Sequence, residues 1–78
     1  MENIVRLTSL KIGQVSLIKD VLIHGKLLIR LCELGFVNEA KIRVVAIAPK
    51  QSSYLLDLYG TEFAIGKNIC EQILVKVI

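Results

Sequence analysis

Lys26-Leu-Leu-Ile-Arg-Leu-Cys-Glu-Leu-Gly-Phe36 is the one segment of this chain whose apolar spacing clearly favours a helix. Leu27, Leu31 and Leu34 recur at helical spacing with Leu28 and Cys32 alongside, while Lys26, Arg30 and Glu33 fall together on the opposite side. Gly35 marks the stop, because a helix commonly ends on a residue with positive φ, which glycine adopts without a Cβ clash. Phe36 can then fold back onto Leu31. A helix this short is marginal alone in water, so the rest of the chain must supply the surface on which its apolar stripe docks.

That surface reads as sheet. Gln14 to Lys19 forms a first strand, with Val15 and Leu17 on one face and Ile18 on the other. Asp20 to Gly25 is a loop and the helix covers about residues 26–34. Lys41 to Ala48 is the strongest strand: Ile42, Val44, Ala46 and Ala48 share one face, Arg43, Val45 and Ile47 the other, and the strand as a whole should be largely buried. Pro49 ends it and Lys50-Gln51-Ser52-Ser53 turns the chain into a strand from Tyr54 to Tyr59. Gly60-Thr61 fits a two-residue hairpin turn leading into Glu62 to Ile65. Gly66-Lys67-Asn68 breaks the chain, and Gln72 to Ile78 closes it as a strand with Ile73, Val75 and Val77 on one side. About five short strands separated by tight turns should curl into a small barrel, with the helix following the first strand and plugging an open end or side.

Length and composition agree with this mostly β reading. The 78 residues have room for a single domain, 1–78, and 54% apolar content with two Phe, two Tyr and no Trp implies a core of Leu, Ile and Val. The chain is hydrophobic for its size, so apolar surface should remain outside as a contact site. No run approaches the roughly 20 apolar residues of a membrane span, and the N-terminus lacks a signal-peptide pattern, which predicts a cytoplasmic protein without direct membrane insertion. Cys32 and Cys70 are too few and too far apart for a disulfide framework or zinc knuckle. Cys32 reads as a small core residue on the helix's apolar side, and Cys70 has no obvious place.

Reactive groups are scattered. His24 reads as a loop residue, with Asp20 the one carboxylate at suggestive spacing, and the glycines occur singly, so no metal site, phosphate loop or cofactor site is expected. The serines have no visible base and the carboxylates lie on different elements, so the chain is not expected to be an enzyme. A net charge of +3 without a basic run is no nucleic-acid signature. Tyr54 and Tyr59, with Lys50 and Arg43 nearby, suggest a stacking face, but the odd separation puts the two rings on opposite sides of one strand.

Arg30-Leu-Cys-Glu-Leu-Gly-Phe36, Ile42-Arg-Val-Val-Ala-Ile-Ala-Pro49, the Leu10-Lys11-Ile12-Gly13 turn and Ile73-Leu-Val75 together resemble the FeoA family, ferrous iron transport protein A. Asn38-Glu39 stands where that pattern has Pro-Gly, and Gln51-Ser52-Ser53 where it has Gly-Asp-Pro. The resemblance implies an SH3-like barrel acting as a cytosolic accessory of FeoB, the Fe(II) transporter with a GTP-binding domain, recruited by it to the inner face of the membrane. Under that reading the expected partner-binding residues are Lys26 and Arg30 on the wet helix face, and Lys50 and Tyr54 at the turn. The alternative is a regulatory domain of an iron-responsive transcription system that binds nucleic acid or a repressor. The chain has no room for a helix-turn-helix part, which favours the first reading. Pairing of exposed barrel edges would make a homo-oligomer.

Overall fold

Alternating apolar residues build six antiparallel strands, and the structure, a computed structural model, describes residues 3–78. In chain order they are β1 (Ile4–Arg6), β2 (Val15–Val21), α1 (Gly25–Leu34), β3 (Lys41–Ile47), β4 (Ser53–Leu58), β5 (Thr61–Gly66), α2 (Lys67–Cys70) and β6 (Ile73–Val77), with 3₁₀ turns at Leu7–Ser9 and Pro49–Gln51. Met1 and Glu2 lie outside the described residues. The sheet order is β1-β6-β2-β3-β4-β5, which wraps one core in the manner of a small SH3-like barrel.

The strand set and the element that fills the open side differ from the sequence reading. The expected first strand is β2; β1 precedes it and, at three residues, is too short to show an alternating pattern. Among the described residues no β1–β5 pairing closes the ladder. Instead the Tyr54 hydroxyl donates to the Thr8 carbonyl at 3.2 Å, and α2 packs on the Leu7–Ser9 turn, β4 and β5. The element filling the open side is therefore α2, which seats the fully buried Cys70, and not α1. A single helical turn after Gly66 has too few residues for a periodic signal, which is why the sequence shows only a break there.

Alternation in β2 and a bulge in β3 decide which residues face the core. In β2 the buried residues are Ser16 and Ile18, whereas Val15 and Leu17 line the half-covered outer side. Two apolar residues on one face do not outweigh the pairing that β2 must satisfy with β3 and β6 at once. In β3 only Ile42 and Val44 are fully buried, while Lys41 and Arg43 face outward. The register shifts between Val44 and Ala46, so the extra residue turns Ala46 outward and brings Ile47 against the core, opposite to strict alternation. The β4–β5 hairpin turns at Tyr59-Gly60, one residue earlier than expected, with φ of 54° and 87°, the positive pair of a type I′ turn.

α1 ends as its sequence dictates. Gly35 has φ 107°, its N–H donates to the Cys32 carbonyl at 3.0 Å, and the Phe36 N–H reaches back to the Leu31 carbonyl at 2.9 Å. This double closure is a Schellman motif and drives Phe36 into the core, where its ring meets Phe63 edge-on at 5.6 Å between centroids. Docking is otherwise shallow: Leu31 is buried and Leu28 packs at the margin, but Leu27, Cys32 and Leu34 stay exposed. Cys32 is thus a surface thiol and not a core residue, because only the Leu28–Leu31 edge of the stripe touches the sheet.

A Cβ added at Gly35 would lie 3.0 Å from Leu58 Cδ2 and sit in left-handed backbone. Gly35→Ala is expected to lower stability by about 2 kcal/mol, seen as a reduced urea midpoint at unchanged slope. Ser16 is fully buried and its hydroxyl has no hydrogen-bond partner. Ser16→Ala removes that uncompensated group and is expected to stabilise the fold by about 1 kcal/mol in the same assay.

Candidate interaction surface

The outer side of the sheet and the solvent side of α1 carry what chemistry this chain offers. On the sheet, register places Val15 beside Arg43 and Arg43 beside Asp57, while Lys41 lies one row away on the same face of β3. With Tyr59 and Gly60 these residues line a cleft of about 280 Å³. Asp57 is committed twice: its Oδ1 accepts the Gly60 N–H at 2.9 Å, and its Oδ2 faces Arg43 Nη2 at 3.4 Å. That ion pair is long and solvated, so it contributes little to stability and leaves the guanidinium available. Lys41 has no side-chain partner among the described residues.

The residues expected at a contact surface fall in different places. Lys26 and Arg30 line a shallow depression on α1 together with Leu27 and Glu33. Lys50 is exposed in the Pro49–Gln51 turn and lines none of the depressions. Tyr54 is fully buried, with its hydroxyl bonded to Thr8, so its ring belongs to the core and the surface tyrosine is Tyr59, 74% exposed. A further groove between β2 and α1 is lined by Val21, Leu28, Cys32 and Val37. Neither the sheet cleft nor this groove stands out in the sequence, because each needs strands or elements brought together. The available signal was Lys41 and Arg43 two apart on one strand face.

No group of three or more His, Cys, Asp or Glu able to hold a metal ion occurs among the described residues. His24 precedes α1 without a side-chain capping bond, and Asp20 accepts the N–H of Val21 at 2.9 Å. Burial pushes the Cys70 thiol from its ordinary value of 9.0 up to about 12, partly offset by a backbone hydrogen bond. Tyr54 is raised as well, first by burial and then by the negative charge that Cys70 and Glu71 would place nearby. Cys70 is therefore a structural thiol, its Sγ directed at the Ile65 carbonyl at 3.7 Å.

A six-stranded antiparallel sheet wrapped around one core, with a charged and partly apolar exterior, places the chain in the class of small SH3-like domains. The FeoA domain model matches residues 5–77, and the chain belongs to the FeoA family, which carries a role in ferrous iron transport. The FeoA protein from Chlorobium tepidum superposes with a TM-score of 0.89 at 27% identity, over 95% of this chain and 70% of that one. Iron(II) transport protein A from Clostridium thermocellum does so with a TM-score of 0.88 at 26% identity, over 95% of this chain and 46% of that one. A manganese-dependent transcriptional repressor shares the fold with a TM-score of 0.88 at 13% identity, over 100% of this chain and 44% of that one. A search of the curated proteins found no match. No helix among the described residues is long and apolar enough to cross a membrane.

Both raised groups bind protons more tightly in the folded chain than in the unfolded one, so their contribution is complete below about pH 9 and declines as pH rises towards 12. Urea midpoints should accordingly hold steady up to about pH 9 and fall above it. In the native protein at pH 8 a thiol reagent should modify Cys32 quickly and Cys70 only after denaturant is added.

Proposed function

We propose that this chain is a non-enzymatic, cytosolic accessory of bacterial ferrous iron uptake that docks on the cytoplasmic, GTP-binding part of FeoB and modulates it. Family membership supports the process. The observation that supports docking is the exterior: large apolar residues left on the surface, Ile29 and Val37 around α1 and Tyr59 on the sheet, interleaved with Lys26, Arg30, Lys41 and Arg43. An exterior of this kind on a domain with one small core is suited to a partner that covers it. The described titratable residues do not converge into a constellation with general acid, base and nucleophile in reach of one another. Fold identity with a repressor domain keeps a regulatory role as the second reading.

Titration of isotope-labelled protein with the cytoplasmic region of FeoB is expected to give saturable shifts at exposed residues of α1 or of the outer sheet. Removal of the chain from cells is expected to lower Fe(II) uptake, with recovery on re-expression. Titration without any shift, together with unchanged uptake, would refute the docking role. Retardation of duplex DNA that weakens steeply as salt rises would support the regulatory reading instead.

A further inference from the structure

The cleft on the outer sheet face is built in a way that stability does not require. Tyr59 occupies the first position of the type I′ turn at φ 54°, where Asn, Asp or Gly is favoured and a bulky aromatic is strained. The same residue is 74% exposed, so the fold recovers little apolar burial for that conformation. A strained residue that is also a large exposed ring points to use outside the chain. The Asp57 carboxylate braces the turn through the Gly60 N–H at 2.9 Å and so fixes where the ring stands. Beneath it, Lys41 and Arg43 project from one face of β3 about 7 Å apart along the strand. Val15 supplies an apolar wall on the neighbouring strand.

From this arrangement we infer that the cleft formed by Val15, Lys41, Arg43, Asp57, Tyr59 and Gly60 is the docking point for an extended protein segment that carries one carboxylate next to an apolar side chain. The segment sets a carboxylate between Lys41 and Arg43 and an apolar side chain between Val15 and the Tyr59 ring. Arginine offers a planar fork that matches a carboxylate, and Lys41, lacking a side-chain partner, supplies a second charge. A protein segment fits better than nucleic acid for two reasons. Asp57 stands directly opposite Glu62 in the β4–β5 pairing, so a continuous run of phosphates would meet two carboxylates at the cleft's edge. One exposed aromatic also gives no platform for successive bases, since Tyr54 is in the core. The inference rests on the docking role proposed above and names the face and the chemistry of the contact.

The test titrates the full chain with the cytoplasmic region of FeoB and, separately, with duplex DNA. Saturable shifts at the amides of Val15, Lys41, Arg43 and Gly60, and about tenfold weaker binding by Lys41→Glu/Arg43→Glu, would support the inference. Tyr59→Asn should raise the melting temperature by relieving the turn while weakening the same binding, a combination that a purely structural tyrosine would not show. If the wild-type chain binds but the charge-reversed variant binds equally well, or Lys26→Glu/Arg30→Glu is the variant that weakens it, the inference fails and the docking role stands. If the wild-type chain does not bind the transporter region, both fail. Shifts at the cleft with DNA alone would also overturn it.

Discussion

The inner face of one bent sheet is the place where this chain can bury apolar side chains, and that limit shapes everything outside it. Ile18, Ile42, Val44, Leu56, Ile73 and Val75 fill it from four strands, and Phe36 and Tyr54 complete it from a helix terminus and a strand start. A domain of this size has no second layer in which to place the remaining aliphatic residues. Ile12 and Ile29, at 62% and 61% exposed, are therefore left on the surface. The apolar exterior is a direct consequence of a hydrophobic composition folded around a single small core.

What the sequence makes legible follows from how local each cause is. The end of α1 can be read residue by residue, since Gly35 and Phe36 act through backbone conformation and bonds within one turn. The alternation of β6 is likewise visible, and Ile73 and Val75 are buried as their spacing implies. Ser16 facing inward, Ala46 facing outward and Cys32 exposed are of another kind. Each depends on which face of a strand the sheet turns inward, on a register shift, or on how far a helix settles onto the sheet, and a window of neighbouring residues contains none of these. The sheet cleft belongs with these, because it exists only once β2, β3 and the Tyr59-Gly60 turn are side by side.

Departures from the family pattern have a physical signature of their own. Glu39 stands where that pattern has glycine and has φ 72°, and Lys50 and Gln51, near the second departure, have φ 59° and 57°. At Glu39 the strained backbone is held from both sides. Its N–H donates to the Ile18 carbonyl at 2.7 Å and its carboxylate pairs with Lys19, the residue at which the β2–β6 register shifts. The bulge in β2 and the unusual turn before β3 thus support one another, since the first presents Lys19 and the Ile18 carbonyl to the second.

The two sides of the sheet answer to different constraints. Inward residues are fixed by packing, where a gain or loss of one methylene is felt by every neighbour. Outward residues such as Lys41, Arg43 and Tyr59 contribute little to that packing, so folding sets few limits on their identity. A large aromatic ring that is both exposed and held in costly backbone is what the contact proposed above accounts for. Tyr59 meets that condition in full, whereas Ile12 and Ile29 sit in ordinary backbone and need no more explanation than the small size of the core.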